Sequence, residues 1–373
     1  MLRISSPRSS IRRLGLVLAA AILPAVAAVS LGQTAPRPGS YREEARVERV
    51  VVDAHVIDSR GEVIPDLAPG DFRVTVDGQV VPLESADWVP AGVPEVPETS
   101  TGDGMLSEAA VATAAEAAPG RLLIFLFQTD YNTSRLTGLV RMGLQAERFL
   151  GTLLPSDRVA VLSFDSHLKL RQDFTADREK ILAGIHAAIR TGKERFEVPG
   201  AGPSLARHFD YAGAARAITP ERALALISNA AEPIPGGKSL LFFAWGLNTI
   251  GGMSGPNPRD VKDFRAAVPA LAKARITIFS LDVTNADYHS LEGTLSNISD
   301  MTGGTYQKTH IFPGLAMDRV RRAIAGRYVL VFVKPAGRPG YHDVHVALAG
   351  RKGRVLARGY YEDATPASPR KSS

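Results

Sequence analysis

The stretch Arg121-Leu122-Leu123-Ile124-Phe125-Leu126-Phe127-Gln128-Thr129-Asp130-Tyr131-Asn132-Thr133-Ser134 decides the fold. Residues 122–127 are apolar without a break, too short for a membrane span and without the alternation of a half-exposed strand. Such a run fits a strand buried on both faces of a parallel sheet. A polar loop follows. Residues 136–154 then carry Leu139, Met142, Ala146, Phe149 and Leu150 along one side of a helix. Strand, loop and amphipathic helix make one unit of an α/β fold.

The unit repeats downstream. Strands are expected at 158–164, 239–244, 275–281 and 305–307, and helices at 177–190, 220–230, 261–274, 291–301 and 313–325. The fold class that follows for residues 120–326 is α/β, a doubly wound and mostly parallel sheet. On either side the pattern is β. In the N-terminal segment, 42–89, Val50, Val52 and Ala54 alternate, and residues 72–76 and 79–81 flank Asp77-Gly78. Asp-Gly supplies the positive φ angles of a two-residue hairpin turn. The C-terminal segment, 327–362, reads as three strands at 328–334, 342–348 and 355–361. The N-terminal segment alone is too small to bury much core. The two are therefore expected to pair in one small β-sandwich-like unit, with the α/β domain inserted between them. Residues 90–119, rich in Ala, Pro, Glu, Gly and Thr, read as a flexible linker, and 363–373 as a disordered tail.

The first 33 residues read as a signal peptide. Arg3, Arg8, Arg12 and Arg13 precede an apolar run from 14 to 29, and Ala25-Val26-Ala27 offers a small-x-small cleavage site. Export is expected, to the periplasm or the medium; an uncleaved segment would instead tether the protein. The net charge of +6 includes those four arginines, which leaves the rest near +2 and gives no reason to expect a nucleic-acid partner. There are no cysteines, hence no disulfides and no lipid anchor through cysteine. No segment after the signal could span a membrane.

Several motifs in order carry a family resemblance. They are 51–58 (Val-Val-Asp-Ala-His-Val-Ile-Asp), 71–78 (Asp-Phe-Arg-Val-Thr-Val-Asp-Gly), 122–133, 157–161, 172–175, Met301-Thr302-Gly303-Gly304, Tyr328-Val329-Leu330 and Arg358-Gly359-Tyr360-Tyr361. Together they resemble von Willebrand factor A-related proteins, an exported bacterial family typical of Acidobacteria. The resemblance implies a ligand face at the C-terminal edge of the sheet. It also implies a Mg²⁺ site there, built from Asp-x-Ser-x-Ser after the first strand, a Thr from a second loop and an Asp from a third. The present sequence departs from that pattern. A strand ending at Phe127 puts Gln128 where the first Asp belongs; a loop shifted by two gives Asp130, Asn132 and Ser134 instead. Those three either retain a divalent-cation site or cap the following helix. Ser204 is a loose counterpart of the Thr, and Trp245 stands where the third-loop Asp belongs, with Asp282 as a nearby oxygen. Trp245 is either an aromatic anchor for a partner or a plug in a lost metal site. With Asn248 these residues make up the expected ligand face.

Other motifs carry no chemistry. Gly236-Gly237-Lys238-Ser239 lacks the first glycine of a phosphate loop and precedes a strand. The eight histidines form no zinc pattern, and no nucleophile–base pair stands out. No cofactor is expected beyond the divalent cation. The expected function is a non-enzymatic binding module with a degenerate metal site, taking a protein or peptide ligand in the cell envelope or outside the cell. An envelope-associated hydrolase, or a structural or assembly factor, is the alternative.

Overall fold

The computed structural model describes residues 48–93, 120–190, 199, 202–248 and 258–363. The expected signal peptide, most of the linker (94–119) and the tail from 364 lie outside the described residues.

The leading strands are β1 (Arg49–Ile57), β2 (Phe72–Val76), β3 (Gln79–Val81) and β4 (Ser85–Pro90). The hairpin at Asp77-Gly78 forms as its sequence dictates, with φ of 50° and 80°. The α/β part runs β5 (Leu122–Gln128), α1 (Thr133–Leu150), β6 (Arg158–Phe164), β7 (Leu168–Thr175), α2 (Arg178–Ile189), α3 (Tyr211–Ala214) and α4 (Pro220–Ala231). It continues with β8 (Lys238–Ala244), α5 (Pro258–Lys273), β9 (Ile276–Asp282), α6 (Glu292–Thr302), β10 (Tyr306–Lys308) and α7 (Pro313–Ala323). The closing strands are β11 (Gly326–Val333), β12 (Gly340–Leu348), β13 (Arg354–Ala357) and β14 (Tyr360–Asp363).

The six-stranded sheet has the order β10-β9-β8-β5-β6-β7. All its pairs are parallel except β6 with β7. It is the expected doubly wound sheet. Its central strand β5 is buried at every position, which is why its sequence is an unbroken apolar run. Alternate residues feed two cores. Leu123, Phe125 and Phe127 pack with Leu139, Met142 and Phe149 of α1, Ile181 and Ile185 of α2 and Val320 of α7. Ile124 and Leu126 share the other face with Leu224 of α4, Leu271 of α5 and Ile298 of α6. Two features escaped the sequence reading. Strand β7 carries Lys169, Arg171 and Asp173 because it is the antiparallel edge, and α3 is a single short turn.

The outer strands form two four-stranded sheets, β13-β1-β11-β4 and β14-β12-β2-β3. Each mixes strands from both ends of the sequence: β1 pairs β11 and β13, and β2 pairs β12. Between them lies a core of Val52, Ala54, Phe72, Val74, Tyr328, Leu330 and Phe332. Tyr328 is fully buried, and its hydroxyl is satisfied by donating to Ile64 O and accepting from Leu67 N–H, both at 2.9 Å. The single strand read at 355–361 is two strands in different sheets. The backbone passes from one sheet to the other at Arg358-Gly359, where Arg358 turns away to donate to Ala272 O and Val51 O.

The sandwich is fastened to the base of the parallel sheet by charge. Asp53 of β1 accepts from Arg275 Nε (2.9 Å) and Nη2 (2.6 Å), just before β9, and from Arg327 Nε (3.0 Å) of β11. Burial alone would raise the Asp53 carboxyl. The charge and hydrogen bonds of Arg275, then the charges of Arg327 and Arg358, outweigh it and hold the group far below the usual carboxylate range. Beside it, His55 is 3% exposed, with its Nδ1 3.1 Å from Gly326 O. Burial first, and the charge of Arg327 next, push its imidazole down to about 4.

Replacing Asp53 by Asn should leave these guanidiniums buried without a counter-charge and cost about 3–5 kcal/mol. Urea unfolding at neutral pH measures it, and a loss under about 1 kcal/mol would remove Asp53 as the fastener. His55 gives a second expectation. Its folded value lies below its unfolded one, so only the unfolded state takes up this proton as pH falls from 6.5 to about 4. Stability from His55 is therefore present above 6.5 and is lost towards 4, by on the order of 3 kcal/mol. The slope of unfolding free energy against pH in that window should flatten in His55→Gln.

Candidate ligand site at the switch point of the sheet

Strand β5 lies between β6, which follows it, and β8, to which the backbone returns. The winding reverses there, and in open α/β sheets the crevice at such a reversal, at the carboxyl ends of the strands, is where ligands bind. Here the crevice lies between Gln128 and the residues after β8. Strand β5 ends at Gln128, paired with Phe164 of β6. The sequence alternative is thereby resolved: Gln128 holds the position directly after Phe127. Its side chain is buried, and its Nε2 donates to Gly246 O at 3.0 Å. Its Oε1 accepts from Trp245 N–H (3.0 Å) and Gly246 N–H (3.3 Å). The amide closes the crevice with protein hydrogen bonds.

The next residues build a helix start. Asn132 caps α1, its Oδ1 accepting from Ser134 N–H at 3.0 Å. Asp130 Oδ1 accepts from Asn132 N–H at 3.0 Å, and its Oδ2 takes a short hydrogen bond from Arg135 Nη1. Partial burial would raise the Asp130 carboxyl, but the Arg135 hydrogen bond, the Asn132 N–H and the Arg135 charge bring it below its ordinary value. The guanidinium of Arg135 lies 3.8 Å from the centre of the Trp245 ring. Trp245 itself is half-buried against the core beneath α1, and its Nε1 has no hydrogen-bond partner among the described residues.

A divalent cation does not fit these donors. Asp130 faces a guanidinium, Asn132 Oδ1 caps the helix, and Ser134 Oγ accepts from Asn285 N–H at 3.2 Å. Among the described residues no three His, Asp or Glu side chains are grouped to hold a metal ion. The capping alternative describes Asn132, and Asp130 holds the loop ahead of the cap.

Asp282, at the end of β9, has another role. It is 3% exposed and lies at 2.7 Å from both His289 Nε2 and the Tyr306 hydroxyl, while its Oδ1 accepts from Thr284 N–H at 2.9 Å. Burial, and then the Asp282 carboxylate, push the Tyr306 hydroxyl far up, so it stays a donor. The loops after β5, β9 and β10 are tied together. Arg141 of α1 donates to Asn285 Oδ1 (2.6 Å) and His310 O (2.8 Å), and His310 Nε2 lies 2.9 Å from Asp287. Gly138 permits the close approach of α1, since a Cβ there would stand 1.7 Å from Val283 O. From these fixed loops Tyr131 and Tyr288 project, 80% and 76% exposed.

The structure thus brings together Asp130, Asn132, Ser134, Trp245 and Asp282. Asn248, half-buried, continues the same loop after β8; the stretch 249–257 that follows lies outside the described residues. Ser204 does not join them and is corrected here. It is buried against β7, its Oγ donating to Asp173 Oδ2 at 2.5 Å. Asp173 lies in the lower half of that antiparallel edge strand, beside Gln172, which pairs Val161. Sequence reading missed the roles of Arg135, His289 and Tyr306. Arg135 sits one residue past the motif that drew attention to its neighbours, and the register that turns it onto Trp245 is a tertiary fact.

No protein-family model and no curated protein sequence matches this protein. Among solved structures it is similar to a von Willebrand factor type A protein from Catenulispora acidiphila, at 12% identity over 86% of this protein and 74% of that one, TM-score 0.37. It is also similar to BatB from Bacteroides thetaiotaomicron, at 12% identity over 55% of this protein and 99% of that one, TM-score 0.34. A third likeness is to the PilB minor pilin from Streptococcus sanguinis, at 10% identity over 55% of this protein, TM-score 0.36; the match spans 60% of that pilin's length. At these identities and TM-scores the likenesses carry no argument of their own, and the doubly wound α/β fold rests on the strand order and cores of the molecule itself.

Since a ligand that binds only the folded state must raise its melting temperature, millimolar Mg²⁺ should leave Tm unchanged. A dose-dependent rise that disappears in Asp130→Ala would show that these residues do hold the ion.

Proposed function

We propose that this protein is a non-enzymatic binding module that takes a protein or peptide partner outside the cytoplasm, at the C-terminal edge of its parallel sheet. The observation that carries the reading is the Arg135–Trp245 stack at the edge of the sheet, together with exposed Tyr131 and Tyr288 on the loops after β5 and β9, which are held by protein hydrogen bonds. Tyrosine offers large amphipathic contact area with few torsions to freeze, and Trp and Arg are the residue types that anchor interfaces. A pre-organised face loses little entropy on binding. The N-terminal signal pattern supports a place in the envelope or the medium. Among the described residues no helix is long and apolar enough to cross a membrane.

One observation favours the hydrolase reading as second. Buried Asp282 orients His289 as a general base is oriented in hydrolases. Against it, the described residues place no Ser or Thr hydroxyl within hydrogen-bond reach of that imidazole, so the pair lacks a nucleophile. The structural or assembly reading would need the sheet only as scaffold and gives no account of exposed tyrosines on the loops after β5 and β9.

A photo-reactive amino acid placed at 131 or 288 should cross-link a discrete partner from the envelope fraction of the producing cell. The same group at Val80, 59% exposed on the sandwich, is the control and should not. Equal yields from all three positions would sink the reading.

A further inference from the structure

The edge keeps a cation although its donors do not fit a metal. We propose that Arg135 is the anion-binding group of this face and receives a carboxylate of the partner. The inference deepens the binding-module reading and rests on it.

Three observations carry it. First, one edge of the Arg135 guanidinium is committed: Nη1 donates to Asp130, and the plane is held 3.8 Å from the Trp245 ring centre. An arginine held on its face and by one edge has lost most of its freedom before a ligand arrives. Secondly, the other edge is free. Among the described residues Arg135 Nε and Nη2 make no hydrogen bond, and the side chain is 29% exposed. A guanidinium edge of Nε and Nη2 presents two parallel N–H groups, the spacing that a carboxylate accepts bidentately. Thirdly, Asp130 does not cancel the site. Its oxygens are taken up by Arg135 and Asn132 N–H, and Arg135 stands in the first turn of the 18-residue α1, whose N-terminus favours incoming negative charge. Gln128, meanwhile, is spent on the backbone of Trp245 and Gly246, so the ring under Arg135 is fixed in place.

The chemistry fits an Asp or Glu side-group carboxylate or the free carboxylate at a polypeptide end, and one experiment separates them. The protein has two tryptophans, Trp88 in the sandwich and Trp245, so indole-¹⁵N labelling gives two N–H signals, assigned through Trp245→Phe. The full-length protein, in EDTA, is titrated with three peptides: acetyl-Gly-Asp-Gly-amide, acetyl-Gly-Asn-Gly-amide, and acetyl-Gly-Asn-Gly with a free carboxyl end. The Trp245 signal should shift saturably with the Asp peptide, the free-ended peptide or both, and not with the Asn amide. The Trp88 signal should stay still. Which acid binds tells an Asp carboxylate from a terminal one. Arg135→Gln should weaken the response about tenfold or more, the loss expected of a charge-assisted pair. Arg135→Lys should recover part of it, and an unmoved Trp88 signal in both variants shows that they fold. The proposal is overturned by no response, by an equal response to the Asn amide, by a response that appears only when EDTA is replaced by Mg²⁺, or by one that keeps its full affinity in Arg135→Gln. Should cross-links form at 131 and 288 while the carboxylates leave Trp245 unmoved, the binding module stands and carboxylate recognition falls.

Discussion

The architecture depends on one buried carboxylate. Asp53 belongs to the sandwich, yet it is held by Arg275 at the foot of β9 and by Arg327 at the start of β11. Desolvating these charges is costly, and the bidentate geometry offsets that cost only if all partners are in place. Arg275 even adopts a left-handed backbone, at φ 53°, to reach it. The consequence is directional. The sandwich packs on the amino ends of the strands, where Gly237 also lies against Arg327 and Asp53, and it covers that end alone. The sandwich leaves the carboxyl ends of the strands uncovered, with the crevice between β5 and β8 closed by the Gln128 amide itself.

Close packing at the last crossover reinforces this. After α6, Gly303 takes φ 79°, and a Cβ on it would stand 2.6 Å from the backbone of Ala357. The glycine therefore lets the end of α6 touch β13, so the returning strand of the sandwich is set against the α/β domain at a second point. Arg358 then reaches Ala272 at the end of α5. The insertion of one domain in the other is fastened at Asp53 by charge and at Gly303 by shape.

The sequence was legible where one physical effect dominates. The run 122–127 can only be satisfied inside a parallel sheet, and Asp77-Gly78 can hardly be anything but a tight turn. It was illegible where the deciding partner is remote. Strand β7 looks polar because it is an antiparallel edge, and Arg171, within it, finds Ser163 only across the sheet, at 2.8 Å. Ser204 has the right residue type and a plausible loop, but its hydroxyl is claimed by Asp173. The same holds for the metal pattern. Asp130, Asn132 and Ser134 have the spacing of ligands, and spacing cannot reveal that Arg135 and the helix end claim two of them first.

That competition is what gives the site its character. A metal site at a sheet edge must keep oxygens uncommitted until the ion arrives, and it fails when the ion is scarce. Here the oxygens are committed. Gln128 spends its amide on the backbone of Trp245 and Gly246, and Trp245 offers an aromatic face on which the Arg135 cation lies. A guanidinium does not deprotonate in proteins, and its pull keeps the Asp130 carboxyl below its ordinary value, so the pair stays charged through the range in which histidines change. An edge built this way presents its guanidinium whatever the cation supply of its surroundings. What it gives up is switching: a metal can leave, and Arg135 cannot.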